Sequence, residues 1–182
     1  MRPHRLALLL LLAACGGAAM KPVQVGSHRF EVPDEHVLPA SGPGALSAVL
    51  NPQAPLQEQT SILVQAVADV CNPGTPPVID QLPRACAVAR GQAEQPQPGR
   101  LTRKLRFPDD PTQYDYHGED GGVAVSCSGD TPGAGSCGAI YAWRDLIWSA
   151  RFREADVPRL EEIRADVARK LDQWSVKEGA RG

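Results

Sequence analysis

A polar segment between Pro108 and Gly122 concentrates side chains that could do chemistry. It contains carboxylates, a histidine and two tyrosines, namely Asp109, Asp110, Tyr114, Asp115, Tyr116, His117, Glu119 and Asp120. The carboxylates could bind Ca²⁺, but their spacing matches no EF-hand loop. His117 could act as a general base, but the sequence places no nucleophile beside it. A solvated acidic loop is the simpler interpretation.

The two tyrosines of this segment favour a contact surface over a reaction centre. Tyrosines provide large, rigid contact area, and flanking acids can steer a basic partner. We therefore predict a partner-contact loop formed by Asp109, Asp110, Tyr114, Asp115 and Tyr116. The chain has no G-x-S-x-G, H-E-x-x-H, P-loop or Rossmann glycine pattern, so we predict no catalytic residue, no metal and no cofactor.

The amino terminus indicates a lipid anchor. The first five residues carry two arginines and no acid, and the apolar run that follows is too short to span a bilayer. This is the layout of a secretory signal peptide. The next residues, Leu12-Ala13-Ala14-Cys15, resemble the lipobox of bacterial lipoproteins, in which signal peptidase II cuts before the cysteine and its sulfur takes a diacylglyceryl group. The alternative is an ordinary signal peptide with a chance cysteine.

A lipidated Cys15 would hold the protein on a membrane without spanning it, because buried acyl chains contribute about 0.8 kcal/mol per methylene. Gly16 and Gly17 stand where lipoproteins of the inner membrane typically have Asp, so the resemblance implies the periplasmic face of the outer membrane. The predicted organisation is a signal peptide over residues 1–14, the lipidated cysteine and tether over 15–21, one periplasmic domain over 22–176 and a tail over 177–182.

Four further cysteines remain, namely Cys71, Cys86, Cys127 and Cys137. An even number in an oxidising compartment predicts two disulfides. Among the three possible pairings we predict the local one, Cys71–Cys86 and Cys127–Cys137, from loop length and hairpin geometry. A zinc site is the alternative, but the chain has no C-x-x-C and its histidines lie far from these thiols in sequence.

The charge of the mature chain disfavours nucleic acid as a partner. The whole chain has 19 basic and 21 acidic residues, and removing Arg2 and Arg5 with the signal peptide leaves 17 basic residues and a net charge of −4. Nucleic acids and anionic lipid headgroups are bound mainly through an excess of Lys and Arg. We therefore expect no nucleic-acid partner, and attachment to the membrane through the lipid on Cys15.

Alternation of apolar and polar residues predicts several short strands. They are two strands around the turn at Gly26-Ser27, then residues 45–50, 60–70 and 101–107, the last with a basic wet face. Residues 60–70 also fit a buried helix, and their β-branched content favours the strand. Residues 71–98 are rich in proline and are predicted to be irregular.

The last third of the chain predicts a meander. A hairpin with Cys127 opposite Cys137 and a two-residue turn at Arg144-Asp145 agree in placing large apolar side chains on one face. The predicted pairs are Val125–Ala139, Val123–Tyr141, Trp143–Leu146, Tyr141–Trp148 and Ala139–Ala150.

A helix capped by Asp156 is predicted to follow, because apolar residues then recur every three or four positions. They are Val157, Leu160, Ile163, Val167, Leu171 and Trp174. We expect this stripe to pack on the meander face of Val123, Tyr141, Trp148 and Phe152. The predicted fold class is α+β: an antiparallel sheet of five to seven strands, including a C-terminal meander, with a C-terminal helix on one face and two disulfides.

Both ends of the domain resemble a known family. Residues 21–26 (KPVQVG) and 30–33 (FEVP), with 147–152 (IWSARF) and the helix over 160–174, are similar to the periplasmic immunity lipoproteins that neutralise type VI secretion lipase effectors. The resemblance implies a protein partner, a toxin, and a non-enzymatic role, but it transfers no toxin-contacting residue. The alternatives are an envelope assembly or structural lipoprotein and, third, a periplasmic hydrolase.

Overall fold

The computed structural model describes residues 19–39, 42–72, 80–131 and 133–176. The predicted signal peptide, Cys15 with most of its tether, and the tail over 177–182 lie outside these residues. Within the described ranges, no helix is both long enough and apolar enough to cross a membrane.

The described residues form nine strands and three α-helices. The strands are β1 (Met20–Val25), β2 (His28–Pro33), β3 (Ala45–Val49), β4 (Ser61–Ala66), β5 (Thr102–Phe107), β6 (Asp110–His117), β7 (Val123–Ser128), β8 (Ser136–Trp143) and β9 (Leu146–Arg153). The helices are α1 (Val67–Val70), α2 (Leu82–Ala89) and α3 (Leu160–Trp174). Short 3₁₀ turns lie at Asp34–His36, Leu56–Glu58 and Glu154–Arg159.

Seven strands form one antiparallel sheet in the order β3-β4-β9-β8-β7-β6-β5, and β1 pairs with β2 in a separate hairpin. Strands β5 to β8 each pair with the next strand in the chain, as expected where the connections are short. The disulfides are Cys71–Cys86 and Cys127–Cys137, with Cα atoms 5.7 Å and 4.1 Å apart. The predicted fold class and both disulfides are therefore confirmed.

The predicted register of the last hairpin is confirmed in full. Strands β8 and β9 place Tyr141 opposite Trp148 and Trp143 opposite Leu146. The two-residue turn between them puts Arg144 at a φ of 55°, in the left-handed region that a non-glycine residue adopts only at a cost. Pairing along eight residues of each strand outweighs that cost.

The β7–β8 hairpin agrees with the prediction only near its disulfide. Cys127 lies opposite Cys137, but the ladder covers only residues 126–128 of β7, so the predicted pairs Val125–Ala139 and Val123–Tyr141 do not form. Beyond Gly138 the two strands separate around the buried side chain of Gln81. Its amide nitrogen donates to Gly138 O at 3.3 Å, and its amide oxygen accepts from Ile140 N at 2.7 Å.

The main hydrophobic core lies between the sheet, α3 and the β1–β2 hairpin. Every predicted apolar position of α3 is buried, as are Tyr141, Trp148 and Phe152 on the strands that face it. Val25 and Phe30 of the hairpin complete this core. Val123, which was expected in the same layer, lies outside the cluster because β7 has already diverged from β8.

The helix α3 begins later than predicted. Asp156 does not cap it, because the chain first makes the 3₁₀ turn that contains Pro158. Asp156 instead accepts a hydrogen bond from Arg153 Nε at 3.0 Å. The α-helical hydrogen bonds start only at Leu160.

Two predictions for the middle of the chain need correction. Residues 60–70 form a strand only as far as Ala66, after which the chain turns into α1. The stretch 71–98, predicted to be irregular, contains α2, which the Cys71–Cys86 bond ties to the end of α1. Helix α2 packs through Ala85 and Cys86 on Ile147, on the face of the sheet opposite α3.

Candidate partner-binding face

The predicted contact loop is wrong in its structure, because its central residues form strand β6. Tyr114 is fully buried and Asp115 is 5 % exposed. Asp110 accepts hydrogen bonds from the backbone and hydroxyl of Thr112 at 2.9 Å and 2.6 Å. Of the five predicted contact residues, Asp109 is exposed and Tyr116 is half-buried.

The two tyrosines hold the buried carboxylate of Glu154. Tyr114 and Tyr116 donate their hydroxyls to it at 2.6 Å and 2.8 Å, and the backbone N–H groups of Gly133 and Gly135 donate at 2.6 Å and 3.3 Å. Burial alone would raise the pKa of Glu154, but these bonds outweigh it and hold the pKa below its ordinary value. Burial and the bond to Glu154 raise the pKa of Tyr116 to about 12, so it remains a donor at neutral pH.

Arg103 closes this cluster from the side of β5. Its guanidinium carbon lies 3.8 Å from the centroid of the Tyr114 ring, and its Nε lies 4.0 Å from the Glu154 carboxylate. The cluster therefore joins β5, β6, the segment before β8 and the 3₁₀ turn that follows β9. Its satisfied hydrogen bonds indicate a structural role.

Asp115 is held by a second internal bond. Arg106 donates to both of its carboxylate oxygens, at 3.2 Å and 2.6 Å. Burial would raise the pKa of Asp115, but hydrogen bonds from Arg106 and Ser126 hold the pKa below its ordinary value. Asp115 is therefore neutralised inside the fold and is not available to steer a basic partner.

His117, Glu119 and Asp120 are also engaged within the fold. His117 Nδ1 lies 2.9 Å from a backbone carbonyl oxygen, Asp120 pairs with Arg84, and Glu119 accepts from Arg100 N at 3.1 Å. In the part of the chain that the structure describes, no three His, Cys, Asp or Glu side chains gather into a set that could hold a metal ion.

A large concave surface lies on the face of the sheet opposite α3, beside α2. We call it the open face. It is a shallow groove with a volume of about 890 Å³. Its floor contains small residues at outward positions of adjacent strands, together with the larger Leu63; the small ones are Ser47, Ser61, Ser126, Ser128, Ser136, Gly138 and Ser149. The charged side chains that border it are Arg106, Arg151 and Asp80.

One register row crosses the open face from β4 to β5. Paired residues in an antiparallel sheet point to the same side, so these positions are neighbours on that face. The row is Ser61, Arg151, Gly138, Ser126, Asp115 and Lys104. The groove floor is thus continuous with the sheet edge at β5.

Sequence reasoning missed the open face, although a signal for it exists. In β9, Ser149 and Arg151 alternate with buried Trp148, Ala150 and Phe152, and Ser136 and Gly138 take the corresponding outward positions of β8. A recurrent small residue at the outward positions of adjacent strands indicates a sheet face left open at that point. The pattern can be recognised only once the strands are known to be neighbours.

Comparison with solved structures finds one match with a TM-score above 0.5 and a weaker one among those it returns. An immunity protein of the Stenotrophomonas maltophilia type IV secretion system superposes with a TM-score of 0.54 and 14 % sequence identity, over 88 % of this chain and 94 % of that chain. Cyanobacterial PsbP from Synechocystis gives a TM-score of 0.30 and 13 % identity, over 86 % and 94 % of the two chains. No protein-family model and no curated protein matches the chain. At 14 % identity, the first likeness establishes a shared fold.

Proposed function

We propose that this protein is an immunity protein that binds and neutralises a toxin delivered by a secretion system. The observation that carries the proposal is the fold shared with a secretion-system immunity protein over 88 % of this chain. The resemblance of its two ends to immunity lipoproteins supports the same role independently. That resemblance also suggests that the toxin is of the lipase type and belongs to a type VI system, although the structural neighbour belongs to a type IV system.

The proposal includes a lipid anchor on Cys15 and a position on the periplasmic face of the outer membrane. The lipobox and the following glycines support both. Strand β1 begins at Met20, so only four residues separate it from Cys15. Such a tether reaches roughly 15–18 Å when extended, which keeps the domain close to the lipid surface on which a lipase would act.

Binding is favoured over catalysis by the way the reactive side chains are used. Glu154 and Asp115 are fixed by hydrogen bonds from Tyr114, Tyr116 and Arg106, and none of these groups faces the groove as a free acid or base. The groove floor consists largely of serines and a glycine, which lose little side-chain entropy when a partner covers them. We assign the toxin-binding role to the open face.

Co-expression tests this proposal. A candidate toxin encoded beside this gene would be directed to the periplasm of a sensitive strain, with and without the lipoprotein. We expect wild-type lipoprotein to restore growth. A Cys15→Ser variant should lose membrane attachment in cell fractionation and protect less well, because the domain is no longer concentrated at the membrane.

Two outcomes would contradict the proposal. One is failure of the wild-type lipoprotein to protect cells in which the toxin is made and active. The other is a hydrolytic activity of the purified protein that His117→Ala removes. Recovery of acylated Cys15→Ser protein in the outer-membrane fraction would refute the anchor alone.

A further inference from the structure

Strand β5 is the terminal strand of the seven-stranded sheet and has an open edge. Strand β6 lies on one side of it, and no described residue pairs with the other side. The opposite terminal strand is different, because Val37 pairs with Ala48 and Leu38 N donates to Ser47 O at 3.0 Å. Among the described residues, the chain therefore covers the outer edge of β3 itself and leaves the outer edge of β5 without a backbone partner.

The side chains of β5 oppose pairing with a second copy of the same strand. All six residues are exposed, and three of them, Arg103, Lys104 and Arg106, are basic. Two copies of β5 would bring like charges face to face, which is destabilising. Leu105 and Phe107 are nevertheless 46 % and 54 % exposed, so the edge also offers apolar surface. An extended segment that carries carboxylates would complement both features.

Two positive charges at this edge are available to a partner. Arg103 is engaged with Glu154 and Tyr114, and Arg106 is engaged with Asp115. The side chains of Lys104 and Arg100 make no hydrogen bond or ion pair with any described residue. Lys104 also ends the register row that crosses the groove floor, so a partner that lies in the groove reaches this charge at the sheet edge.

The position of β5 favours a protein partner over a lipid surface, given the anchor that is part of the proposed function. Ala19 O accepts a hydrogen bond from Asp34 N at 2.8 Å, just before the segment that covers the outer edge of β3. Six inter-strand spacings of about 4.8 Å separate β3 from β5, so the two edges lie about 29 Å apart. The proposed anchor thus lies near one edge of the sheet, at β3, and the basic strand β5 forms the opposite edge.

We propose that β5 is a strand-addition site, at which an extended acidic segment of the toxin pairs with the open edge as an eighth strand. Backbone hydrogen bonds provide affinity, and carboxylates next to Lys104 and Arg100 provide selectivity. The identity of the partner as a toxin rests on the proposed function, whereas the site and its chemistry rest on the strand itself.

A peptide-binding experiment tests the site without the toxin. The probe is a fluorescein-labelled eight-residue peptide that alternates Glu and Val, added to the detergent-solubilised full-length lipoprotein and followed by fluorescence anisotropy. Controls are a peptide that alternates Lys and Val, and a peptide that alternates Glu and Pro, which has the same charge but cannot form a ladder. We expect only the Glu-Val peptide to bind and to slow amide hydrogen exchange over residues 102–107.

Charge-reversal variants locate the site. The double variant Lys104→Glu with Arg100→Glu should weaken binding of the Glu-Val peptide about tenfold or more. Lys21→Glu, an exposed position on β1, should leave the affinity unchanged. Equal binding of the Glu-Pro peptide, unchanged exchange over 102–107, or preferential binding of phosphatidylglycerol vesicles through Lys104 would each overturn the inference.

The peptide result and the protection result separate the two proposals. Protection by the wild-type lipoprotein without binding of the Glu-Val peptide would refute the strand-addition site and leave the immunity role standing. Peptide binding without protection would refute the immunity role and support a strand-addition site that serves a different acidic partner.

Discussion

Glu154 joins separate parts of the chain through one buried carboxylate. It accepts from the hydroxyls of Tyr114 and Tyr116 and from two backbone N–H groups. Glu154→Gln keeps the side-chain shape but turns one acceptor oxygen into a donor that faces other donors. We expect the free energy of unfolding at pH 7 to fall by about 1–3 kcal/mol, measured by urea denaturation.

The same variant should have a different dependence on pH. The folded-state pKa of Glu154 lies below its ordinary value of 4.5. The ionised carboxylate therefore contributes to the free energy of unfolding above pH 4.5, and this contribution is lost as the pH falls through the folded-state pKa. The stability gap between wild type and Glu154→Gln should therefore narrow below about pH 4.5. Glu162→Gln, at an exposed position of α3, is the control and should change stability by less than about 0.5 kcal/mol. If Glu154→Gln lowers the free energy of unfolding no more than Glu162→Gln does, the structural role of Glu154 is contradicted.

Loss of the hydroxyl should change the free energy of unfolding differently at two buried tyrosines. Tyr141 Oη is buried and finds no hydrogen-bond partner among the described residues, and burial raises the pKa of Tyr141 to about 12. Tyr141→Phe should therefore leave the free energy of unfolding unchanged or raise it by up to about 1 kcal/mol. Tyr114→Phe, which removes a donor to Glu154, should lower it. Thermal denaturation of both variants checks this order, and the reverse order would contradict the assignment.

The sequence predicts the cysteine pairs better than the role of the tyrosines. Disulfide pairing follows from local spacing, and both bonds form as expected. Tyr114 and Tyr116 alternate with polar residues, which is a strand pattern, but the surrounding acids favoured a loop. Their partner, Glu154, lies 40 and 38 residues away, so no local pattern could reveal it.

Helix α2 depends on its disulfide because a helix of eight residues is unstable alone. The Cys71–Cys86 bond spans a sequence separation of 15, and its loss should lower the free energy of unfolding by about 3 kcal/mol. We expect the double variant Cys71→Ala with Cys86→Ala to show this loss in urea. Amide exchange should accelerate over residues 82–89 and remain slow in α3. Unchanged protection of residues 82–89 would show that packing alone holds α2.

The C-terminal meander was predictable because each of its registers depends on a short connection. One disulfide and one two-residue turn suffice to align β7, β8 and β9 near those points. The end of the β7–β8 ladder was not predictable, because it depends on Gln81, which contacts Ile140 across 59 residues of chain. The open face was not predictable either, because β4 pairs with β9, which is distant from it in sequence.

The two faces of the sheet have different roles in the whole molecule. Helix α3 and the β1–β2 hairpin cover one face with the main core, and α2 covers part of the other. What remains is the groove of small side chains that leads to the basic edge at β5. A proposed anchor near the β3 edge would leave this groove and the β5 edge accessible to a protein that arrives in the periplasm.

Calorimetric titration of the purified full-length protein with a candidate toxin encoded beside its gene examines binding itself. We expect a 1:1 complex that Gly138→Phe weakens about tenfold or more. A Cβ at position 138 would have Ala150 O at 3.6 Å as its nearest neighbour, so the ring can occupy the groove without backbone strain. Ala165→Phe, at an exposed position of α3, is the matched control and should bind like wild type. Absence of a complex with the wild-type protein, or equal affinity of folded Gly138→Phe and Ala165→Phe, would contradict binding through the open face.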